Sequence, residues 1–227
     1  MFLKLKKYKQ ILNLKKKHKF DNFGSLTNYG LFSGDANLFK TLTIYDLIKE
    51  TSSVKGDIIE LGIHRGNTSL LIKKILEIFK IKKKLYLLDH FEGLIHFQAE
   101  DTADSKKLKG KYVGLKNQIK DFIKFFNFKN IEIISQDATK LKPGFFKNKT
   151  FCLAYMDMDL YLPTIKALEA LDKNMSKGSF IVFDEGSKKL WSEKKAIKDF
   201  LKKNKKYRYM LIDKRRQPDV ILKKIKN

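Results

Sequence analysis

The segment DIIELGIHRGNTSLLIKKILEIFK, residues 57–80, decides the fold of this chain. Its first part, residues 57–63, is a short apolar run rich in isoleucine, which predicts a buried strand. Gly62 and Gly66 border the turn that follows, and residues 67–80 then repeat apolar side chains at the spacing of a helix. A strand that leads directly into such a helix predicts one unit of a parallel sheet covered by helices.

The same alternation continues along the chain. A helix is predicted at 37–51, and the segments between the later strands also have helical periodicity. The last two strands are separated by only five residues, KRRQP, so they are predicted to pair as an antiparallel hairpin. The fold class is therefore α/β, a doubly wound, Rossmann-like and mostly parallel sheet. The further strands are predicted at residues 84–91, 131–138, 150–157, 179–185, 207–213 and 219–224.

The composition excludes several classes of protein. A chain of 227 residues with 43% hydrophobic content can form one substantial core, which argues against disorder throughout. No run of about 18 apolar residues is found, so no membrane-spanning helix is expected. The single cysteine, Cys152, lies in an apolar run and is interpreted as a core residue in a reducing compartment. The first 20 residues do not form a signal-peptide pattern, and a cytoplasmic location is expected.

The formal net charge of +24 raises the question of a nucleic-acid partner. Nearly all of the basic excess is lysine, which is scattered along every segment. Arginine is the preferred ligand of phosphates and base edges, so scattered lysine is weak evidence for specific recognition. A nucleic-acid-binding protein is kept as an alternative.

Two segments stand apart from the predicted sheet. Residues 1–22 are interpreted as a basic amphipathic N-terminal arm, which suits an anionic membrane surface or a partner protein. A solvated arm that folds only in part fits the same composition. The remainder, residues 23–227, is assigned to one domain. Within it, residues 92–115 form a long polar connection that is predicted to be a lid.

Carboxylates stand at the ends of the first three predicted strands. Glu60 lies at the end of the first strand, Asp89 of the second and Asp137 of the third. Ligands of open α/β sheets bind beyond these strand ends, and an acid in the place of Asp89 can accept hydrogen bonds from ribose hydroxyls. Asp137 suits an adenine amino group, and Glu60 suits a cationic or amino-bearing ligand. Helix caps and turns are the alternative roles for these aspartates.

A second set of acids follows the fourth and fifth strands. It lies in YMDMDLYLPT, residues 155–164, and in IVFDEG, residues 181–186. Adjacent strands bring Asp157 and Asp184 side by side, so the cluster repels itself unless it is protonated or binds a cation. Ligands that are all oxygen favour a hard ion, with Mg²⁺ ahead of Ca²⁺ or Mn²⁺. Helix caps and pairing with lysines are the alternative.

These motifs, in this order, resemble the macrocin O-methyltransferase family of class I S-adenosylmethionine-dependent enzymes. The resemblance covers residues 57–201 and rests on GDIIELGIHRGNTSLL, LYLLDHFEGL, YMDMDLYLPTIKALEAL, KGSFIVFDEG and SEKKAIKDFL. It implies a seven-stranded sheet with an antiparallel C-terminal strand, and metal-assisted, in-line methylation of a hydroxyl on a sugar or sugar-bearing small molecule. The family's acidic pair is usually Asp-Asp, whereas this chain has Asp184-Glu185. The family's double glycine is Lys177-Gly178 here.

The resemblance also implies residue roles by position. The cofactor, S-adenosylmethionine, would contact Glu60, Gly62 and Gly66 at its methionine part, Asp89 at its ribose, and Asp137 with Ala138 at its adenine. The divalent metal, expected to be Mg²⁺, would be held by Asp157, Asp184 and Glu185.

The catalytic base is less defined. Asp159 is the nearest acid by sequence, and it fits a base, a share in the metal or a cap on the next helix. His90, His96 and His64 are the other base candidates, with surface or packing roles as their alternative.

Three rival functions are kept open. An RNA or DNA methyltransferase is the main alternative, although such enzymes that act on base nitrogens tend to carry an Asn-Pro-Pro-Tyr-like segment where this chain has Met156-Asp157-Met158-Asp159. A nicotinamide oxidoreductase is disfavoured because the G-x-G-x-x-G fingerprint is absent. A cofactor-binding scaffold without turnover and a homo-oligomer are both compatible with the sequence.

Overall fold

A computed structural model describes residues 2–22, 24, 29–32 and 34–226 of the protein. The chain separates into two compact units, residues 1–39 and residues 40–227. The first unit contains helix α1, Phe2–Lys17, which lies within the predicted arm, and the short helix α2, Tyr29–Phe32. Leu12 and Leu14 of α1 are exposed. In the part of the chain that the structure describes, none of the helices combines the length and the apolar character needed to cross a bilayer.

The second unit is built on a seven-stranded sheet with the order β3-β2-β1-β4-β5-β7-β6. Strands β1 to β5 are parallel, and β7 is antiparallel to both β5 and β6. The predicted fold class and the terminal hairpin are therefore confirmed. The strands are β1 Asp57–Leu61, β2 Leu85–Asp89, β3 Ile131–Ser135, β4 Phe151–Met156, β5 Met175–Phe183, β6 Tyr207–Leu211 and β7 Val220–Lys224.

Helices cover both faces of the sheet, which makes it doubly wound. Ile58, Leu87 and Val182 pack on one face with apolar side chains of α3, α4 and α6. On the other face, Leu61 and Ile181 pack with α7 and α8. The helices are α3 Asp35–Glu50, α4 Asn67–Ile78, α5 Ala103–Lys106, α6 Lys116–Phe125, α7 Tyr161–Leu171 and α8 Glu193–Lys203.

Most strands end earlier than the apolar runs that predict them. β1 ends at Leu61 rather than Ile63 because Gly62 adopts a φ of 83° and turns the chain. β5 ends early as well, at Phe183, but it also begins earlier than predicted, at Met175 rather than Ser179, because Met175 pairs with Phe151 of β4. Residues 175–178 include polar residues and a glycine, so a prediction from hydropathy alone does not recognise them as part of a strand.

Candidate active site

The carboxyl ends of the central strands lie level with one another. Leu61 of β1 pairs with Leu88 of β2 and with Met156 of β4, and Met156 pairs with Phe183 of β5. The N–H of Asp157 then donates to the carbonyl of Leu61 at 2.9 Å, which continues this alignment past the strand end. Acids that follow these strands therefore converge at one edge of the sheet.

The turn after β1 requires both of its glycines. A Cβ on Gly62 would lie 1.9 Å from the carbonyl oxygen of Asp157, so no side chain fits there. Gly66 has a φ of 80° at the N-cap of α4, where a Cβ would meet Ile119 at 2.8 Å. The predicted tight turn is present, and it leaves the first N–H groups of α4 open to a ligand.

Glu60 is the most deeply buried of the predicted cofactor residues. Its side chain accepts a hydrogen bond from the hydroxyl of Ser69, and only 1% of the residue is exposed. Burial raises the pKa of Glu60 to about 8, and the negative charges of Asp89 and Asp184 act in the same direction. The side chain is thus available in its protonated form near neutral pH.

Asp89, at the end of β2, is enclosed by hydrogen-bond donors. One carboxyl oxygen accepts from the N–H groups of Ile63 (2.7 Å) and His64 (3.0 Å). The other accepts from the N–H of Phe91 (2.6 Å) and contacts Nδ1 of His90 at 3.3 Å. Burial by itself raises the pKa of Asp89, but these bonds outweigh it and the pKa lies below its usual value. Asp89 is therefore an ionised acceptor.

Asp137, after β3, has a similar environment. One of its carboxyl oxygens accepts hydrogen bonds from the backbone N–H (2.9 Å) and the hydroxyl (2.7 Å) of Thr139. Asp137 thereby caps the 3₁₀ turn that begins at Ala138. Nε2 of His96 lies 3.0 Å from the other carboxyl oxygen of Asp137. Burial opposes ionisation, yet the bonds from Thr139 hold the pKa of Asp137 below its usual value. The capping role and the predicted adenine contact are compatible, since a carboxylate has several acceptor sites.

The two histidines that were candidate bases form a stacked pair beside these acids. The ring centroids of His90 and His96 lie 5.8 Å apart with an interplanar angle of 30°. The hydrogen bond to Asp89 raises the pKa of His90. The third candidate, His64, has its pKa lowered by burial, and its ring meets Tyr112 edge-on at 5.8 Å. The contacts of His90 and His96 thus tie them to the predicted cofactor acids.

The acids that follow β4 and β5 have the opposite electrostatics. Withdrawal from water and mutual repulsion raise the pKa values of Asp157 and Asp159 well above the usual range. Burial and the charge of Asp184 raise the pKa of Glu185 to about 7. Glu193, the first residue of α8, is buried beside them, and burial together with Asp157 raises its pKa as well. We call these four residues, together with Asp184, the acid cluster.

Lysine and tyrosine partners meet the acid cluster at Asp184. Nζ of Lys40, on α3, lies 2.8 Å from Oδ1 of Asp184, and the hydroxyl of Tyr155 donates to the same oxygen. Burial alone would lower the pKa of Lys40, but Asp184 and Asp157 raise it, so the lysine is charged. One ammonium group offsets one of several carboxylates, and the remainder must be protonated or paired with another cation.

Asp159 does not cap the helix that follows it. The residue at the N-cap of α7 is Leu160, which makes no side-chain cap, and the N–H of Tyr161 instead donates to Asp101 at 2.9 Å. Asp159 itself adopts a φ of 62°, a left-handed conformation that aspartate tolerates better than most residues. The capping alternative for Asp159 is therefore wrong, and its side chain remains with the acid cluster.

Glu193 and Tyr112 are site residues that sequence reasoning missed. Glu193 accepts hydrogen bonds from the N–H groups of Met158 (3.2 Å) and Glu185 (3.3 Å), which holds the two acidic loops together. Its signal was present in the motif SEKKAIKDFL, where it is the only acid of the first helical turn. Partial burial raises the pKa of Tyr112, and the negative charge of Asp159 acts in the same direction. The ring of Tyr112 contacts His64 and Trp191.

The predicted lid, residues 92–115, is anchored at several points. The N–H of Leu115 donates to the carbonyl of His64 at 2.9 Å, and the hydroxyl of Thr102 donates to Leu190 at 2.7 Å. Trp191 packs with Leu94 of the lid in a small apolar cluster, and the ring of Tyr112 lies 6.3 Å from the ring of Trp191. These contacts hold residues 92–115 against Leu190, Trp191 and the turn after β1.

The donor chemistry of the acid cluster fits a hard divalent cation, because its ligands are carboxyl oxygens. In the described parts of the chain, however, no group of three or more His, Cys, Asp or Glu side chains is arranged to hold a metal ion. Asp184 is turned to Lys40, and Gln217 donates to Glu185. Binding of a metal would require these two side chains to reorient.

Comparison with known proteins first defines the class. The solved structure of calicheamicin methyltransferase CalS11 has the same fold, with a TM-score of 0.80 and 19% identity over 96% of this chain and 91% of that one. The fold is thus that of the Rossmann-like methyltransferases.

The family follows from the sequence match. The model of the macrocin O-methyltransferase (TylF) family matches residues 34–214, and the chain belongs to this family. It is 26% identical over 141 residues to 8-demethyl-8-(2,3-dimethoxy-alpha-L-rhamnosyl)-tetracenomycin-C 4'-O-methyltransferase of Streptomyces olivaceus, which is 58% of this chain and 53% of that protein. It is also 25% identical over 142 residues to demethyldecarbamoylnovobiocin O-methyltransferase of Streptomyces niveus, a match that covers 59% of this chain and 54% of that protein. The chain spans about half the length of these curated relatives.

Proposed function

We propose that the protein transfers a methyl group from S-adenosylmethionine to a hydroxyl of a sugar or sugar-bearing small molecule. The observation that carries this proposal is the division of the strand-end acids into two groups. Asp89 and Asp137 are ionised acceptors, as a neutral nucleoside requires, whereas Asp157, Asp159 and their neighbours have raised pKa values. Membership in the macrocin O-methyltransferase family supports the reaction class, and the rhamnosyl group in the name of the Streptomyces olivaceus relative supports the acceptor class.

The cofactor would lie along β1, β2 and β3. Glu60, Gly62 and Gly66 border the methionine part, where the glycine turn leaves room for the backbone to approach. Asp89 holds the ribose hydroxyls. Its four acceptor positions are already used, and the contact to His90 at 3.3 Å is the longest of them. Cofactor binding therefore displaces His90 from Asp89.

The adenine would lie at the end of β3. Asp137 accepts a hydrogen bond from the adenine amino group, and Ala138 borders the ring. His96 now occupies one oxygen of Asp137, so it moves together with its stacking partner His90. Both histidines, of which His96 belongs to the lid, then border the cofactor.

Methyl transfer from a sulfonium is an in-line displacement, so the chief task of the protein is to align acceptor oxygen, methyl carbon and sulfur. The lid provides the ring of Tyr112, which packs beside Trp191, as an aromatic surface for a sugar, and it excludes water from the reacting atoms. The acceptor hydroxyl must also lose a proton. Asp159 is the proposed base, because its raised pKa makes it a stronger proton acceptor than an ordinary carboxylate. His90 and His96 are the other proposed catalytic groups.

Magnesium remains a proposal that the donor chemistry of the cluster supports. Asp157, Asp184 and Glu185 would hold the ion, which when bound lowers the pKa of a coordinated hydroxyl and fixes its direction. Lys40 places one positive charge at Asp184, so this ion pair would have to open for Asp184 to hold the ion.

The test is a methyl-transfer assay with labelled S-adenosylmethionine, Mg²⁺ and a panel of nucleotide-linked sugars and glycosylated small molecules. We expect transfer to at least one sugar hydroxyl, and binding of S-adenosylhomocysteine by calorimetry. Absence of cofactor binding at millimolar concentration would refute the methyltransferase assignment. Transfer to RNA but to no sugar would favour the nucleic-acid alternative, which family membership and the acidic crevice disfavour.

The membrane contact, the cellular location and the oligomeric state of the protein remain predictions. The arm of residues 1–22 is proposed to contact an anionic membrane, since α1 carries exposed leucines among lysines. Loss of liposome binding on removal of these residues would support this role. A cytoplasmic location and a homo-oligomer are also predictions, testable by fractionation and by light scattering.

A further inference from the structure

A second surface of the folded domain combines exposed aromatic rings with lysines. It lies where α6 ends and β3 begins, and we call it the Phe–Lys surface. The rings of Phe125 and Phe126 are 5.0 Å apart, and those of Phe122 and Phe126 are 6.3 Å apart. Nζ of Lys74, on α4, lies 4.3 Å from the centroid of Phe126. The three rings therefore form one continuous patch at the end of α6, and Lys74 of α4 lies against it.

This patch is more exposed than packing of the domain can explain. Phe125 is 78% exposed, and Ile78, one helical turn from Lys74 on α4, is 70% exposed. In α6, Ile119 and Ile123 already face the core, so the phenylalanines add nothing to it. A contiguous apolar patch on an otherwise highly charged surface marks a place of interaction.

An open cavity of about 370 Å³ adjoins the patch. Its apolar lining comes from Ile123 and Phe128, together with Ile131 and Ile133 of the edge strand β3. Its polar lining comes from Lys120, Lys124 and Lys129, with Asn127. Apolar side chains beside several ammonium groups suit an amphiphile with an anionic head and a hydrocarbon tail.

The positive charge of the Phe–Lys surface indicates which kind of partner binds there. The segment 116–130 contains four lysines and one aspartate, so two copies that met through this surface would bring like charges together. An anionic bilayer satisfies both parts of the surface, because lysines are drawn to acidic headgroups while phenylalanines enter the interface. We propose that the Phe–Lys surface docks the protein on an anionic membrane.

The position of this surface is compatible with an active enzyme. The ends of α4 and α6 and the beginning of β3 lie at the opposite edge of the sheet from the strand ends that carry the acids. A membrane held there leaves the crevice and the lid open to cofactor and acceptor. The inference therefore stands independently of the proposed reaction.

Vesicle co-sedimentation of the full chain tests the proposal. The probe is a set of phosphatidylcholine vesicles with and without 30% phosphatidylglycerol, at low and at physiological salt. We expect binding only to the anionic vesicles. We expect the double variants F122Q/F125Q and K120E/K124E each to lower the partition coefficient by about tenfold, since apolar burial and headgroup attraction both contribute. Residual binding through the N-terminal arm is the same in all of these proteins.

Two matched controls separate the site from general charge and hydropathy. The variant K194E/K198E reverses two exposed lysines at the same helical spacing on α8, and M210Q/L211Q removes two exposed apolar residues of β6. Both should bind vesicles like the wild type. Equal loss in the control and the Phe–Lys variants, or no loss in either, overturns the proposal. So does a wild-type dimer that F122Q/F125Q converts to monomer without any vesicle binding.

Discussion

The acids at the two halves of the sheet edge occupy equivalent places in the fold and behave in opposite ways. At the ends of β2 and β3, Asp89 and Asp137 accept several hydrogen bonds each, and their pKa values are lowered. Beyond β4 and β5, Asp157, Asp159 and Glu185 crowd together, and their pKa values are raised. Burial and repulsion between neighbouring carboxylates raise the pKa values of the second group, whereas the hydrogen-bond donors around Asp89 and Asp137 outweigh burial in the first.

This contrast separates two kinds of chemistry within one crevice. A carboxylate that is ionised and fixed by N–H groups can bind a neutral ligand through its hydroxyls without a change of protonation. A crowded acid cluster instead holds protons or a cation, and its charge changes when either is exchanged. We therefore expect cofactor binding to depend on the first group and turnover to depend on the second.

The largest expected effect follows from Asp157→Asn in the acid cluster. Loss of this carboxylate should lower kcat by about 10³, because the charge stabilisation expected of a catalytic metal is several kcal/mol. Affinity for S-adenosylhomocysteine should stay unchanged. Rate measurements with labelled cofactor, repeated after EDTA treatment and after addition of Mg²⁺, check both points. The matched control is Asp46→Asn, an exposed acid on α3. Activity that is indifferent to the chelator would remove the metal from the proposal.

The reverse pattern is expected for Asp89→Asn. Its side chain loses the charge that strengthens hydrogen bonds to ribose, so the Kd for S-adenosylhomocysteine should rise by about 30- to 100-fold. Calorimetry measures this change, and circular dichroism checks that the variant is folded. If Asp89→Asn binds the cofactor like the wild type while Asp157→Asn does not, the two halves of the crevice have been assigned in the wrong order.

The pH dependence of stability should distinguish the carboxyl groups with raised pKa values from those with lowered pKa values. The pKa of Glu60 is raised to about 8 and that of Glu185 to about 7, both from 4.5. Groups whose pKa is higher in the folded state contribute stability below their unfolded pKa, and this stability is lost as the pH rises through the folded value. Without divalent ions, Tm should therefore fall by several degrees between about pH 5 and pH 8.

The variant Glu60→Gln is the control for this effect, because it cannot ionise. Its Tm should fall less steeply than that of the wild type in the same pH range. Asp89 acts in the opposite sense, since its lowered pKa contributes stability that is lost on acidification. A wild-type Tm that rises from pH 5 to pH 8, or an identical slope in Glu60→Gln, would contradict the raised pKa of Glu60.

The smallest effect is expected from Tyr112→Ala on the lid. Removal of this ring should raise the KM for the acceptor by about five- to tenfold, because an aromatic contact contributes on the order of 1 kcal/mol. The Kd of the cofactor should not change. Tyr112→Phe is the conservative control and should keep most of the acceptor affinity if stacking dominates. A loss of cofactor affinity in Tyr112→Ala would place the ring on the other half of the crevice.

The sequence by itself determined the order of strands and helices, the terminal hairpin and the strand-end positions of Asp89, Asp137, Asp157 and Asp184. These features depend on short-range periodicity and on glycine, both of which are visible along the chain. Strand limits were less well predicted, since β5 begins in a polar stretch that pairs only because β4 is beside it.

Only the tertiary structure decided what surrounds each acid. Lys40 and Asp184 are 144 positions apart. Glu193 is visible as the only acid in the first turn of its helix, but that pattern does not reveal its place beside Asp157. The same holds for the stacked pair of His90 and His96, which lies against Asp89 and Asp137 rather than in open solvent. The physical reason is that protonation depends on burial and on neighbouring charges, and both are set by segments distant in sequence that the sheet brings together.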